Sequence, residues 1–120
     1  MTVRAILEDK GRDVVTMRPD QSLAEATRLM AQRRIGAVVV TRSDGRTAGI
    51  LSERDIVRAL AEAGAAALDK PVSTAMTVGV RVCRESHTVN EVMEMMTHGR
   101  FRHLPVEGEG QLVGIVSIGD

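Results

Sequence analysis

The sequence predicts an α+β fold built from two tandem repeats, and three observations predict it. First, the chain matches itself. Shifted by 66 residues, Val14–Val40 falls on Val80–Val106, with identities at Val14/Val80, Arg18/Arg84, Glu25/Glu91, Met30/Met96, Arg34/Arg100 and Val40/Val106. Second, each copy alternates short β-branched runs with amphipathic stretches in the order strand, helix, strand, strand, helix. Third, a copy of roughly fifty residues buries too little surface to stand alone, so two copies packed about a pseudo-twofold axis are expected.

In chain order, residues 1–12 form an N-terminal extension. It holds a helix from Val3 to Glu8, capped by Thr2, that docks Val3, Ile6 and Leu7 on the body. Residues 13–63 are the first repeat. Its Ser22 and Glu25 open a helix with Leu23, Ala26 and Met30 on one face. Ala37-Val38-Val39-Val40 reads as a strand, Ser43-Asp44-Gly45 as a turn and Ala48–Leu51 as the next strand. Ser52 then opens a helix with Ile56, Ala59, Leu60 and Ala63 down one side. Residues 64–78, bounded by Gly64 and Pro71, read as a linker.

Residues 79–120 are the second repeat, in which Thr88 and Glu91 repeat the helix opening and Val89, Val92, Met93 and Met96 form its apolar face. Leu104-Pro105-Val106 and Leu112–Val116 are its strands, with one residue fewer in the turn between them. Pro105 marks an edge or an irregularity, because proline cannot donate to a ladder. The closing helix of this copy is expected to be absent, since the sequence stops at Asp120.

Composition narrows the function. Apolar residues at 43% and charged ones at 27% are ordinary for a globular domain, and no apolar run reaches the length of a membrane span. Met1-Thr2-Val3-Arg4 lacks a signal-peptide pattern, so the expected compartment is the cytoplasm and no membrane partner is expected. Phe101 is the lone aromatic, leaving a core of aliphatic residues and seven Met. A chain with no base-stacking platform and with sixteen basic residues cancelling sixteen acidic ones is a poor match for nucleic acid. The bases are fourteen Arg and two Lys, Lys10 and Lys70. Cys83 stands alone, which excludes an internal disulfide, and His87, His98 and His103 lack ligand spacing, so no metal site is expected. No catalytic constellation appears.

What repeats is Gly-Ile-x-Ser-x-x-Asp: Gly49, Ile50, Ser52 and Asp55, then, at a shift of 65, Gly114, Ile115, Ser117 and Asp120. One reading is a helix cap, with the acid reaching back to the serine. The other two helices use Glu at that place. Asp, one methylene shorter, is expected to cap less well and to be freer for a ligand. A carboxylate fixed on a first helical turn can accept from both ribose hydroxyls, and the serine with the amides beside it suits an anion.

These residues, together with Val14-Val15-Thr16, Pro19-Asp20-Gln21-Ser22-Leu23, Ile35-Gly36-Ala37-Val38-Val39-Val40 and Phe101-Arg102-His103-Leu104-Pro105-Val106, resemble the CBS-domain family. Residues 10–120 look like one tandem CBS pair, a Bateman module, similar to small stand-alone bacterial members. The resemblance implies a non-enzymatic regulatory module that binds an adenine nucleotide (AMP, ADP, ATP or NAD(H), or S-adenosylmethionine) in clefts between the repeats. It implies that Asp55 and Asp120 hold ribose and that Ser52 and Ser117 lie near ribose or phosphate. Ile35 and Gly36 would flank the base in the Asp120 cleft, with Phe101 and Arg102 bordering the Asp55 cleft. Arg54 and Arg102 are the phosphate candidates, and Gly119 replaces Arg54 in the second copy. A homodimer is expected, with a protein partner of unknown identity. The alternatives are a ligand-free dimerisation or docking scaffold, or a regulatory fragment of a larger enzyme or transporter.

Overall fold

The computed structural model describes residues 1–119 and divides them into two compact units. Residues 15–79 form the first; residues 1–14 join the chain from residue 80 onward to form the second. The elements in chain order are α1 (Val3–Lys10), β1 (Thr16–Met17), α2 (Leu23–Arg33), β2 (Ala37–Thr41), β3 (Thr47–Ser52), α3 (Glu53–Ala63), α4 (Val89–Gly99), β4 (His103–Gly108) and β5 (Gln111–Ser117). Two short 3-10 turns, Gly64–Asp69 and Val72–Thr74, lie between α3 and α4. The fold is α+β.

In the first unit β2 is the central strand, parallel to β1 and antiparallel to β3. Residues 37–40 are all buried, which is why this strand reads as a continuous β-branched run rather than an alternation. The Ser22 hydroxyl accepts from the Glu25 amide to start α2, which buries Leu23, Ala26 and Met30 on the sheet. On α3, Ile56 is buried and Ala59 and Ala63 pack beside it, while Leu60 remains 37% exposed. Segment 64–78, read as a linker, contributes Ala67 and Val72 to this core. Its backbone also bridges Ser22 through Pro71 and Ile50 through Thr77.

The second unit has its own core, formed by Val3, Leu7, Cys83, Val92, Met96, Leu104, Val106 and Val116. On α4 the apolar face is turned by one position from the expected one: Met95 packs on the core and Met93 is 45% exposed. Helix α1 runs to Lys10, beyond the expected Glu8.

The self-match extends further than the sequence showed. The Val3 amide donates to the His87 carbonyl (2.9 Å) as the Val72 amide donates to Gln21 (2.7 Å). Likewise Val89 donates to Met1 (2.9 Å) as Leu23 does to Lys70 (2.9 Å). A shift of 69 therefore relates α1 to the 72–74 turn. Each of these segments leads in sequence into one repeat and is buried in the core of the other.

Pro105 sits inside β4, between β5 and the single parallel bridge Cys83↔Val106. In the first unit Val39, its counterpart, donates to the Val15 carbonyl (3.2 Å). Proline has no such proton, which accounts for a leading strand that is two residues long in the first copy and one bridge in the second. The missing turn residue also has a structural form. Glu109 (φ 54) and Gly110 (φ 76) make a tight two-residue hairpin between β4 and β5. The first copy instead spans Arg42–Arg46 with Gly45 at φ 86.

Candidate functional site

Ser52 ends β3 and caps α3, so the motif stands where a strand turns directly into a helix. Its hydroxyl accepts from the Asp55 amide (3.3 Å). In return the Asp55 Oδ2 accepts from the Ser52 amide (2.9 Å) and hydroxyl (3.1 Å). This is a complete capping box, which overturns the expectation that the shorter acid caps less well. The longer acid closes a complete box as well at Thr88 and Glu91, while Glu25 takes its shortest side-chain hydrogen bond from Gln21 Nε2 (2.9 Å). At the third helical position an aspartate Oδ already lies beside the cap amide, so no extra methylene is needed.

Asp55 is the buried charged side chain among the described residues, 5% exposed. Its Oδ1 has only long contacts, to Arg58 Nη1 and Thr77 Oγ1, both at 3.4 Å. The carboxylate is thus fixed through one oxygen while the other retains capacity to accept. Thr77 was not picked out from the sequence. The signal was Gly49, since a Cβ there would stand 2.6 Å from the Thr77 carbonyl oxygen and 3.0 Å from Met76 Sδ. A glycine inside a strand marks such a close approach.

The start of β2 reaches the same place. The Glu53 amide donates to the Gly36 carbonyl (3.0 Å), and Glu53 Oε1 lies 3.0 Å from where a Gly36 Cβ would be. Ile35 is half-buried against the first core, and Arg54 is exposed on the first turn of α3. In the first unit Ser52, Thr77 and Arg58 meet at Asp55, and Gly36, which the resemblance put in the Asp120 cleft, meets the backbone of Glu53 beside them.

The second unit repeats the backbone frame. The Ile118 amide donates to the Arg102 carbonyl (3.0 Å), as Glu53 does to Gly36. Phe101 is half-buried on the second core, Arg102 is exposed, and Ser117 ends β5 opposite His103. Asp120 lies outside the described residues. Among the described residues no three His, Cys, Asp or Glu side chains converge as a metal site, and no helix is long and apolar enough to cross a membrane.

Two α+β units, each presenting a glycine-isoleucine strand that ends in a serine, define a tandem-repeat module. The CBS-domain model matches residues 3–62 and again 72–120, and the chain belongs to the CBS-domain family as a tandem pair. The two matches start 69 residues apart, the same offset that relates α1 to the 72–74 turn. Among curated relatives, a 17.7 kDa protein of Acidianus ambivalens is 39% identical over 89% of this chain, which spans 64% of that protein. The chain spans only 19% of the Arabidopsis thaliana protein CBSCBSPB5. Among solved structures, the CBS-domain protein ATU1752 from Agrobacterium tumefaciens is 52% identical with a TM-score of 0.93, covering 98% of this chain and 88% of its own. Protein PAE2072 from Pyrobaculum aerophilum, solved in complex with AMP, is 29% identical with a TM-score of 0.87, covering 99% and 88%. The CBS pair of MJ0100, solved with 5′-methylthioadenosine and S-adenosyl-L-methionine, is 25% identical with a TM-score of 0.86, covering 98% and 89%.

Proposed function

We propose that this CBS pair is a non-enzymatic sensor that binds an adenine nucleotide and passes its occupancy on as a change of shape or of partner affinity. The observation that carries this reading is the buried, box-locked Asp55. Its second oxygen is available to ribose hydroxyls, and the motif holding it occurs twice in the chain. The AMP-bound and S-adenosylmethionine-bound relatives support an adenosine-containing ligand. In the proposal Asp55 and Asp120 take ribose, and Ser52 and Ser117 border ribose or phosphate. Arg54 and Arg102 attract phosphate, and Ile35–Gly36 and Phe101–Arg102 flank the base. AMP, ADP, ATP and NAD are the candidates. A homodimer belongs to the same proposal, supported by Val57 (65% exposed) and Leu60 on the outer side of α3.

The absence of Trp and Tyr supplies a direct test. Protein purified without denaturation should carry an absorbance near 260 nm far above the weak band of Phe101, and mass spectrometry of the released compound should identify it. Titration calorimetry of stripped protein with each candidate then ranks them. Silent traces for all of them, with no released adenine compound, would leave the scaffold reading in its place.

A further inference from the structure

The donors that reach the Asp55 carboxylate in the first unit differ in how firmly they are held. The Ser52 amide and hydroxyl meet Oδ2 at 2.9 and 3.1 Å from the strand end that caps α3. The Thr77 hydroxyl meets both oxygens, at 3.4 and 3.5 Å, and its residue is pinned to Ile50 in both directions. The Thr77 amide donates to the Ile50 carbonyl (2.8 Å), and the Ile50 amide to the Thr77 carbonyl (3.1 Å). Arg58 is different. Its Nη1 donates to Oδ1 at 3.4 Å from the end of a long stem, and its side chain is 61% exposed against 6% for that of Asp55. Ser52 and Thr77 are neutral and tied down by their backbone, whereas Arg58 is a charge on a solvated arm.

The oxygen that Arg58 meets is the one that the capping box leaves to a ligand. A ribose bound at Oδ1 therefore takes the place of the guanidinium, while Ser52 and Thr77 keep the carboxylate where it is. What the released guanidinium does next depends on the ligand. Arg58 stands four residues after Arg54, so the two lie on one stripe of α3 beside Asp55. A phosphate on the ribose gives Arg58 a new anionic partner of the kind a guanidinium binds bidentately. Adenosine gives it none, and the charge returns to water. Resting on the nucleotide reading above, we propose that Arg58 makes the first copy's site prefer phosphorylated adenosine to adenosine itself. It pairs with Asp55 in the free site and moves to the phosphate when ribose displaces it. The pair with Asp55 is long and mostly exposed, so water screens it and opening it lowers affinity only about threefold. A charge-assisted contact to phosphate raises affinity about tenfold.

The test titrates AMP and adenosine by calorimetry into wild type, Arg58→Met and Arg58→Lys. Heat remaining in Asp55→Asn, which silences the first site, is subtracted as background. Arg58→Met keeps an apolar stem and removes the charge. It should tighten adenosine about threefold, because no pair has to open. It should weaken AMP about threefold, the net of losing the phosphate contact and sparing the pair, so the preference for AMP falls about tenfold. Arg58→Lys, a cation without the planar fork, should show an intermediate preference. On the Asp55→Asn background Arg58→Met should change neither ligand. Opposite signs for the two ligands are the signature, since an arginine that only supports α3 would move both the same way. Shifts of the same sign, or an unaltered preference for AMP, overturn the role of Arg58 and leave the nucleotide reading standing. Wild-type protein that binds neither ligand overturns the nucleotide reading, and the role of Arg58 with it.

Discussion

Removing the Asp55 carboxylate should cost stability as well as ligand. Asp55→Ala leaves the half-buried Ser52 amide and hydroxyl without the acceptor they meet at 2.9 and 3.1 Å. It also removes the long contacts from Thr77 and Arg58 at 3.4 Å. A lost cap is worth about 1 kcal/mol, and hydrogen bonds to an ionised group about 1.5–3 kcal/mol. Because the amide and hydroxyl share one oxygen and the amide regains some water, about 2 kcal/mol is the expected loss. With unfolding entropy near 2.1 cal/mol/K per residue, this 120-residue chain should melt about 8 °C lower if it unfolds as one cooperative unit. Asp55→Asn keeps an amide oxygen for the Ser52 groups and should lose about half as much, while still presenting an NH₂ group where ribose needs an acceptor. Circular dichroism melts of Asp55→Ala, Ser52→Ala and the double variant form a cycle, whose coupling should be about 1 kcal/mol because both substitutions break the same box. An Asp55→Ala melting point within 1–2 °C of wild type, or strict additivity with Ser52→Ala, would refute the role of Asp55 as a cap, with about 2 kcal/mol as the magnitude at stake.

The other predictions concern packing and titration. Gly49→Ala drives a methyl into the backbone oxygen of Thr77 (2.6 Å), whereas Gly114→Ala meets the mobile end of Leu7 (2.8 Å). Melts should therefore show Gly49→Ala costing about 2–3 kcal/mol and Gly114→Ala about 1 kcal/mol, and the reverse order would refute the packing argument. The Thr88 backbone amide, and after it the Thr88 hydroxyl, hold the Glu91 carboxyl below its ordinary value. A depressed carboxylate stabilises the fold above its unfolded pKa and loses that contribution as the pH falls through the folded one. Wild type should thus melt above Glu91→Gln at pH 7, with the gap closing in acid; a gap independent of pH contradicts the assignment. Burial pushes the Cys83 thiol up to about 11. The folded state holds that proton more tightly, so its contribution is complete below the unfolded thiol pKa and falls away as the pH rises toward 11. At pH 8 an aromatic disulfide reagent should label Cys83 only as fast as the protein unfolds, and rapid labelling of native protein would show the thiol to be accessible.

Much of this molecule was legible locally. The Ser22, Ser52 and Thr88 caps, the all-buried run at residues 37–40 and the doubled serine-aspartate motif depend on spacings of one to four residues, and periodicity records such spacings. The candidates Ser52, Arg54 and Asp55 could be read together, because they share one helical turn. The contacts of Thr77 and Lys10 could not be read in this way. Each belongs to a segment that reads as linker or extension and reaches its motif only when the chain folds back, Thr77 onto Ile50 and Lys10 onto Ile115.

The sequence by itself determined the repeat, the fold class and the family, since all three are carried by residue type at fixed intervals along the chain. Only the tertiary structure decided that residues 64–79 belong to the first core and residues 1–14 to the second. It alone showed which oxygen of Asp55 is committed to the cap. Burial of Val3 and Val72 is a contact between parts of the chain far apart in sequence, and a pattern read along the chain holds no distance between such parts.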